Sequence, residues 1–205
     1  MRIYSFLSVI CLSGLLAGCA SVGSTLSPGE GPQPSQGCVV ASITTEKEYG
    51  VGDAWFFIRT AGDEKFHRMD ARGMLRPAET RVSHGLREGH LSVVSLEPGE
   101  YELYQWTLYL SVFGAYGYLN SDEDVKPFRF TVRAGEITYL GNLHLHVFMR
   151  RGLFGNSAPG GATSVLFDTG NVDLPQVRNL YPSIAGWPVA GALPKGTAWD
   201  THPAM

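Results

Sequence analysis

Side chains that alternate apolar and polar, residue by residue, constrain the fold of this 205-residue chain more than any other feature. Over 128–133, Phe128, Phe130 and Val132 take one side, and Arg129, Thr131 and Arg133 take the other. Over 101–110, Tyr104, Trp106, Leu108 and Leu110 share a side. Over 137–147, Ile137, Tyr139, Gly141, Leu143, Leu145 and Val147 form one stripe. Successive side chains of a strand point to opposite faces, so this spacing predicts strands with one buried face and one wet face. Eight strands are expected, over 39–45, 54–60, 65–70, 89–96, 100–112, 126–133, 136–148 and 164–168. Two sheets of such strands packed face to face make an all-β antiparallel sandwich.

The turns agree with this reading. The chain has 25 glycines and 12 prolines, well above the usual combined share of about 12%. That excess argues against a helical bundle. Pro98-Gly99 suits a type II turn with Gly99 at positive φ, and 133–136 suits a tight hairpin. A short helix is expected within 171–182, with Asp173 as its N-cap and Pro182 as its stop. The sandwich domain is placed at 38–182, followed by an irregular tail over 183–205. A net charge of −3 supplies no basic face, so nucleic acid is not an expected partner.

The N-terminus speaks to location. Arg2 precedes an apolar run over 3–16, the layout of a secretory signal and too short for a spanning helix of about 20 residues. Leu16-Ala17-Gly18-Cys19 resembles a bacterial lipobox. The resemblance implies a signal peptide over 1–18, diacylglycerol on the Cys19 sulfur and a palmitate-type chain on its amino group. Several acyl chains anchor stably where one binds only marginally. Ala20 stands where inner-membrane lipoproteins resemble one another in carrying Asp, so the outer membrane, periplasmic side, is the expected location. Residues 19–37, rich in Ser, Gly and Pro, read as the lipidated cysteine and a flexible tether. Cys11 leaves with the signal and Cys19 takes lipid, so Cys38 is the remaining thiol, expected as a small buried hydrophobe.

Leu96-Glu97-Pro98-Gly99-Glu100-Tyr101-Glu102-Leu103 resembles an element of carboxypeptidase-regulatory-like and Cna-B-type sandwiches. The stretch 128–141, with Ala134-Gly135-Glu136 and then Thr138-Tyr139-Leu140-Gly141, resembles a segment of uncharacterised proteobacterial lipoproteins. Together these imply a transthyretin-like (prealbumin-like) β-sandwich. Both motifs are structural, and neither contains a catalytic residue to carry over.

Candidate sites are few. His144 and His146 lie two apart on an expected strand, so both leave one face, expected to be wet. With a third ligand from a neighbouring strand they would hold Zn²⁺ or Cu²⁺. Phe113, Tyr116 and Tyr118 sit in a Gly/aromatic stretch suited to contact with a glycan, peptide or protein. Asn120-Ser121-Asp122-Glu123-Asp124 begins like a calcium loop, but Val125 and Thr131 replace its required Gly and Glu, leaving a solvated acidic loop. Gly155-Asn156-Ser157 is followed by Pro159 where a nucleophile elbow needs Gly. No catalytic residue, enzymatic activity or cofactor is expected. The sequence reads as an outer-membrane-anchored, non-enzymatic binding or envelope-structural module, with a membrane partner through its lipid and an envelope protein or glycan as a further partner. The alternative is a periplasmic metal-binding lipoprotein using His144 and His146.

Overall fold

A computed structural model describes residues 23–46, 51–70, 77–112, 115–121, 127–151, 157–191 and 197–198. The strands are β1 (Gly23–Thr25), β2 (Gly37–Glu46), β3 (Val51–Thr60), β4 (Phe66–Asp70), β5 (Arg81–His84), β6 (Arg87–Leu96) and β7 (Gly99–Val112). They continue with β8 (Ala115–Asn120), β9 (Phe128–Val132), β10 (Ile137–Arg151), β11 (Ser157–Phe167), β12 (Val189–Ala190) and β13 (Thr197–Ala198). Helix α1 (Gly170–Leu180) lies between β11 and β12. The larger sheet runs β1-β6-β2-β10-β11-β13, with β5 on β6 and β12 on β10. The smaller runs β4-β3-β7-β8, with β9 on β7. Pairing is mostly antiparallel, although β2 and β10 run parallel. The chain is an all-β sandwich with one short helix, and each of the eight expected strands is present.

The main core lies between the sheets. Val39, Ala41, Ile43, Leu143 and Leu145 from the larger sheet meet Phe56, Ile58, Trp106 and Leu108 from the smaller. Each large side chain so buried contributes about 1.5–3 kcal/mol relative to exposure. A second cluster fills the other face of the larger sheet. There Cys38, Val40, Leu91, Val93, Ile137 and Tyr139 pack under Val177, Tyr181 and Ile184. Strand β2, which carries the apolar run from Cys38 to Ile43, is therefore buried on both faces.

The expected stripe over 137–147 breaks at Gly141. Its φ is 82°, and a Cβ there would lie 2.6 Å from the Phe167 carbonyl oxygen. Pairing with β2 shifts register between Tyr139 and Asn142. Ile137 and Tyr139 consequently face the helix, while Leu143, Leu145 and Val147 face the smaller sheet. A similar slip opposite Phe57/Ile58 removes Tyr104 from the side of Trp106, Leu108 and Leu110. It lies instead on the outer face, beside Phe57 and Arg59.

Three local expectations are corrected. Gly99 opens β7 opposite Val132 and is not among the positive-φ glycines, so the type II turn does not form. Gly135 does have φ 69°, but its turn joins β9 in one sheet to β10 in the other, an arch rather than a hairpin. The helix starts earlier than expected, with Thr169 as N-cap, and Asp173 turns down onto the sheet from its first turn. The helix ends at Leu180, ahead of Pro182 as expected, and Pro182 begins a short 3₁₀ turn.

The expected tether is shortened as well. Gly23–Thr25 pairs with β6, Leu26 is buried, and the Gly29 N–H donates to the Leu180 carbonyl at 2.8 Å. Apolar Leu26 and free backbone groups find partners along the sheet edge, which outweighs the composition. The tail likewise contributes buried Ile184, and strands β12 and β13 pair with β10 and β11. The signal segment 1–18, Cys19, Phe113, residues 122–126 of the acidic loop and residues 199–205 lie outside the described residues. No helix among the described residues is long and apolar enough to cross a membrane.

Candidate functional site

His144 and His146 do share a face of β10, the one turned away from the inter-sheet core. The parallel register sets Thr45 of β2 beside Leu145, which places Glu46 at the strand end next to both imidazoles. Glu46 Oε1 lies 3.2 Å from His144 Nε2 and also contacts His146 Nδ1. One ligand atom from each residue falls within 4.8 Å of the others. The other carboxylate oxygen accepts from the Val147 N–H at 3.3 Å, which fixes the carboxylate plane. Burial pushes the Glu46 carboxyl up, but hydrogen bonds from both imidazoles and the charge of His144 outweigh it, so the net shift is downward.

The face is not wet as expected. The His144 side chain is 6% exposed and that of His146 is 45% exposed. Phe167 covers the His144 ring, and the Arg87 guanidinium lies 4.1 Å from the Phe167 ring centroid. The cluster is thus closed on its inner side and open to solvent at His146. His144 Nδ1 is 3.0 Å from Thr44 Oγ1. A hydroxyl both donates and accepts, so it serves either tautomer. When Nδ1–H donates to Thr44, Nε2 keeps a lone pair for an ion. Outer partners of this kind orient metal-binding imidazoles.

Behind Thr44 a buried polar chain continues to the helix. Asn142 donates to Thr44 Oγ1 and Ser42 Oγ at 3.0 Å each, and accepts from Arg87 at 3.1 Å. Ser42, Tyr139 and Thr169 each donate a hydroxyl to Asp173 Oδ2 at 2.7 Å. Burial first, and then the bond to Asp173, push the Tyr139 phenol up. His84 Nε2 lies 3.2 Å from Asp173 Oδ1, an ion-pair distance without hydrogen-bond alignment. Loop spacing carried no sign of this network, because its members come from five separate elements.

Of the expected contact residues, Tyr116 and Tyr118 lie on the outer face of the smaller sheet, away from this cluster. Tyr116 is 71% exposed and Tyr118 63% exposed, both on β8 and not on a loop. Cys38 is fully buried, as expected, and burial pushes its thiol up to about 12. His67 bonds Thr25, and His90 bonds Thr80.

No family model and no curated protein matches this sequence. Among solved structures, the chain is similar to a leucine-rich repeat protein from Bacteroides thetaiotaomicron, at 11% identity and a TM-score of 0.33. That likeness covers 54% of this chain and spans only 14% of the other.

Proposed function

We propose that this protein is a lipid-anchored envelope module of the bacterial outer membrane, facing the periplasm, that binds rather than catalyses. Its ligand site is the Glu46–His144–His146 cluster, and the ligand is a divalent first-row cation of the zinc type. One observation carries the reading: a carboxylate from β2 arrives between two imidazoles of β10, with Thr44 behind the buried one. Two His and one Glu are a recurrent zinc-ligand set, and three protein ligands leave one position for water or a partner's group. The 3.2 Å spacing of His144 Nε2 and Glu46 Oε1 is close to the roughly 3.4 Å expected between ligand atoms around tetrahedral zinc. The lipobox-like Leu16-Ala17-Gly18-Cys19 and the likeness of 128–141 to proteobacterial lipoproteins support the envelope location.

Two measurements test the proposal separately. The full chain, purified in detergent, should bind about one zinc ion, and His144→Ala with His146→Ala should abolish it while the chain keeps its folded β-sheet circular dichroism. A stoichiometry far below one, or one unaffected by the double substitution, removes the metal reading. Cys19→Ala should abolish palmitate labelling and release the protein from the membrane. A variant that still labels removes the anchor reading.

A further inference from the structure

We infer that the outer face of the smaller sheet is a binding platform for the glycan strand of the cell wall. The inference rests on the proposed envelope location, but not on the metal site, which lies on the other sheet. On this face Trp55, Tyr118, Tyr109 and Tyr116 form a row across β3, β7 and β8. Ring centroids step by 6.2 Å from Trp55 to Tyr118, by 5.1 Å to Tyr109 and by 6.1 Å to Tyr116. Each step is about the length of one sugar residue in an extended chain. The Tyr109 and Tyr116 planes differ by 2° and those of Trp55 and Tyr118 by 25°, with a 41° tilt between the two pairs at Tyr109 and Tyr118.

The backbone is shaped to lay these rings down. A Cβ on Gly52 would fall 2.4 Å from the Tyr109 ring, so the glycine of β3 lets that ring rest on the strand. Such a surface offers flat π faces, to which the C–H groups of a sugar ring bind by stacking.

The polar groups select the occupant. Thr107 and Asn120 lie across the strands from Trp55, joined by a 2.7 Å hydrogen bond, in the row next to the Tyr109–Tyr118 pair. These donors and acceptors match hydroxyl and acetamido groups. The face also pairs most of its charges. Arg68 pairs with Asp70 at 2.6 Å, Arg59 with Glu102 at 2.7 Å, and Arg129 with Glu102 at 3.6 Å. Arg129 shares its carboxylate with Arg59, so these groups leave one positive charge uncompensated, too little for the basic face that nucleic acid or anionic lipid requires. An uncharged polyhydroxylated chain fits this balance. Tyr116 at 71% and Tyr118 at 63% exposure are too open for a finished interior surface.

The test uses the full chain in detergent with purified peptidoglycan sacculi. Cosedimentation should persist at high salt and be reversed by soluble N-acetylglucosamine oligomers. Trp55→Ala and Tyr118→Ala should each weaken it about tenfold or more, with an unchanged melting transition. His144→Ala with His146→Ala should leave it intact, which separates this surface from the metal site. The inference is overturned by cosedimentation indifferent to Trp55 and Tyr118. Binding to anionic phosphatidylglycerol vesicles in place of sacculi would overturn it as well, as would rings buried in a dimer that both substitutions dissolve.

Discussion

At the residue scale, burial and hydrogen bonding decide which titratable groups have chemistry to offer. Cys38 sits fully buried beneath the helix with its thiol pushed up to about 12. Its folded value lies above the ordinary 9.0, so the folded protein holds this proton more tightly than the unfolded chain does. The stability it contributes is present below pH 9.0 and is lost as pH rises toward about 12. We expect Cys38 to resist iodoacetamide in the native protein at pH 8 and to react promptly in urea, read by peptide mass. Native labelling at the unfolded rate would contradict this. Cys38 was legible because a lone cysteine heading an apolar run is most simply a core residue. The pairing of His144 with His146 was legible too, from the two-residue spacing. Glu46 was not: it lies about 100 residues away in sequence and reaches the imidazoles only through the parallel pairing of β2 with β10. Asp173 looked like a cap because caps and buried carboxylates share a sequence position, and only three converging hydroxyls tell them apart.

At the element scale, one bulge organises both cores. Gly141 takes φ 82° against the Phe167 carbonyl and flips the parity of β10. This lets one strand send Tyr139 to the helix and Leu143 to the smaller sheet. Gly141→Ala combines left-handed strain with a 2.6 Å contact and should cost about 3 kcal/mol or more in urea unfolding. Gly135→Ala, at φ 69° with open space around the missing side chain, should cost about 1 kcal/mol. Equal costs at the two positions would show that the bulge is not a constraint. Strand existence was legible because alternation is a local signal. Parity across the bulge was not, because a glycine inside a strand pattern does not announce which way the register moves. Strands β5, β12 and β13 have two to four residues each, too short to carry any period.

At the scale of the whole molecule, the chain has three layers: helix, larger sheet, smaller sheet. The outer layers divide the proposed tasks. The buried polar chain and the metal ligands share the helix side of the larger sheet, and the aromatic row lies on the far face of the smaller one. Only Ala20, Ser21 and Val22 separate Cys19 from β1, a span of about 14 Å at most. A lipidated Cys19 would therefore hold the sandwich close to the bilayer surface, and not at the end of the long stalk that composition suggested. Compositional reading failed there because Ser, Gly and Pro also build ordered edges when backbone partners are in reach.

The most direct test of the metal site is zinc-edge X-ray absorption on the zinc-loaded full chain. We expect a shell with two imidazole nitrogens at about 2.0–2.1 Å and a carboxylate oxygen at a similar distance, lost in the double variant of His144 and His146. A shell of oxygen alone, or one unchanged in that variant, would contradict the assignment of Glu46, His144 and His146 as its ligands.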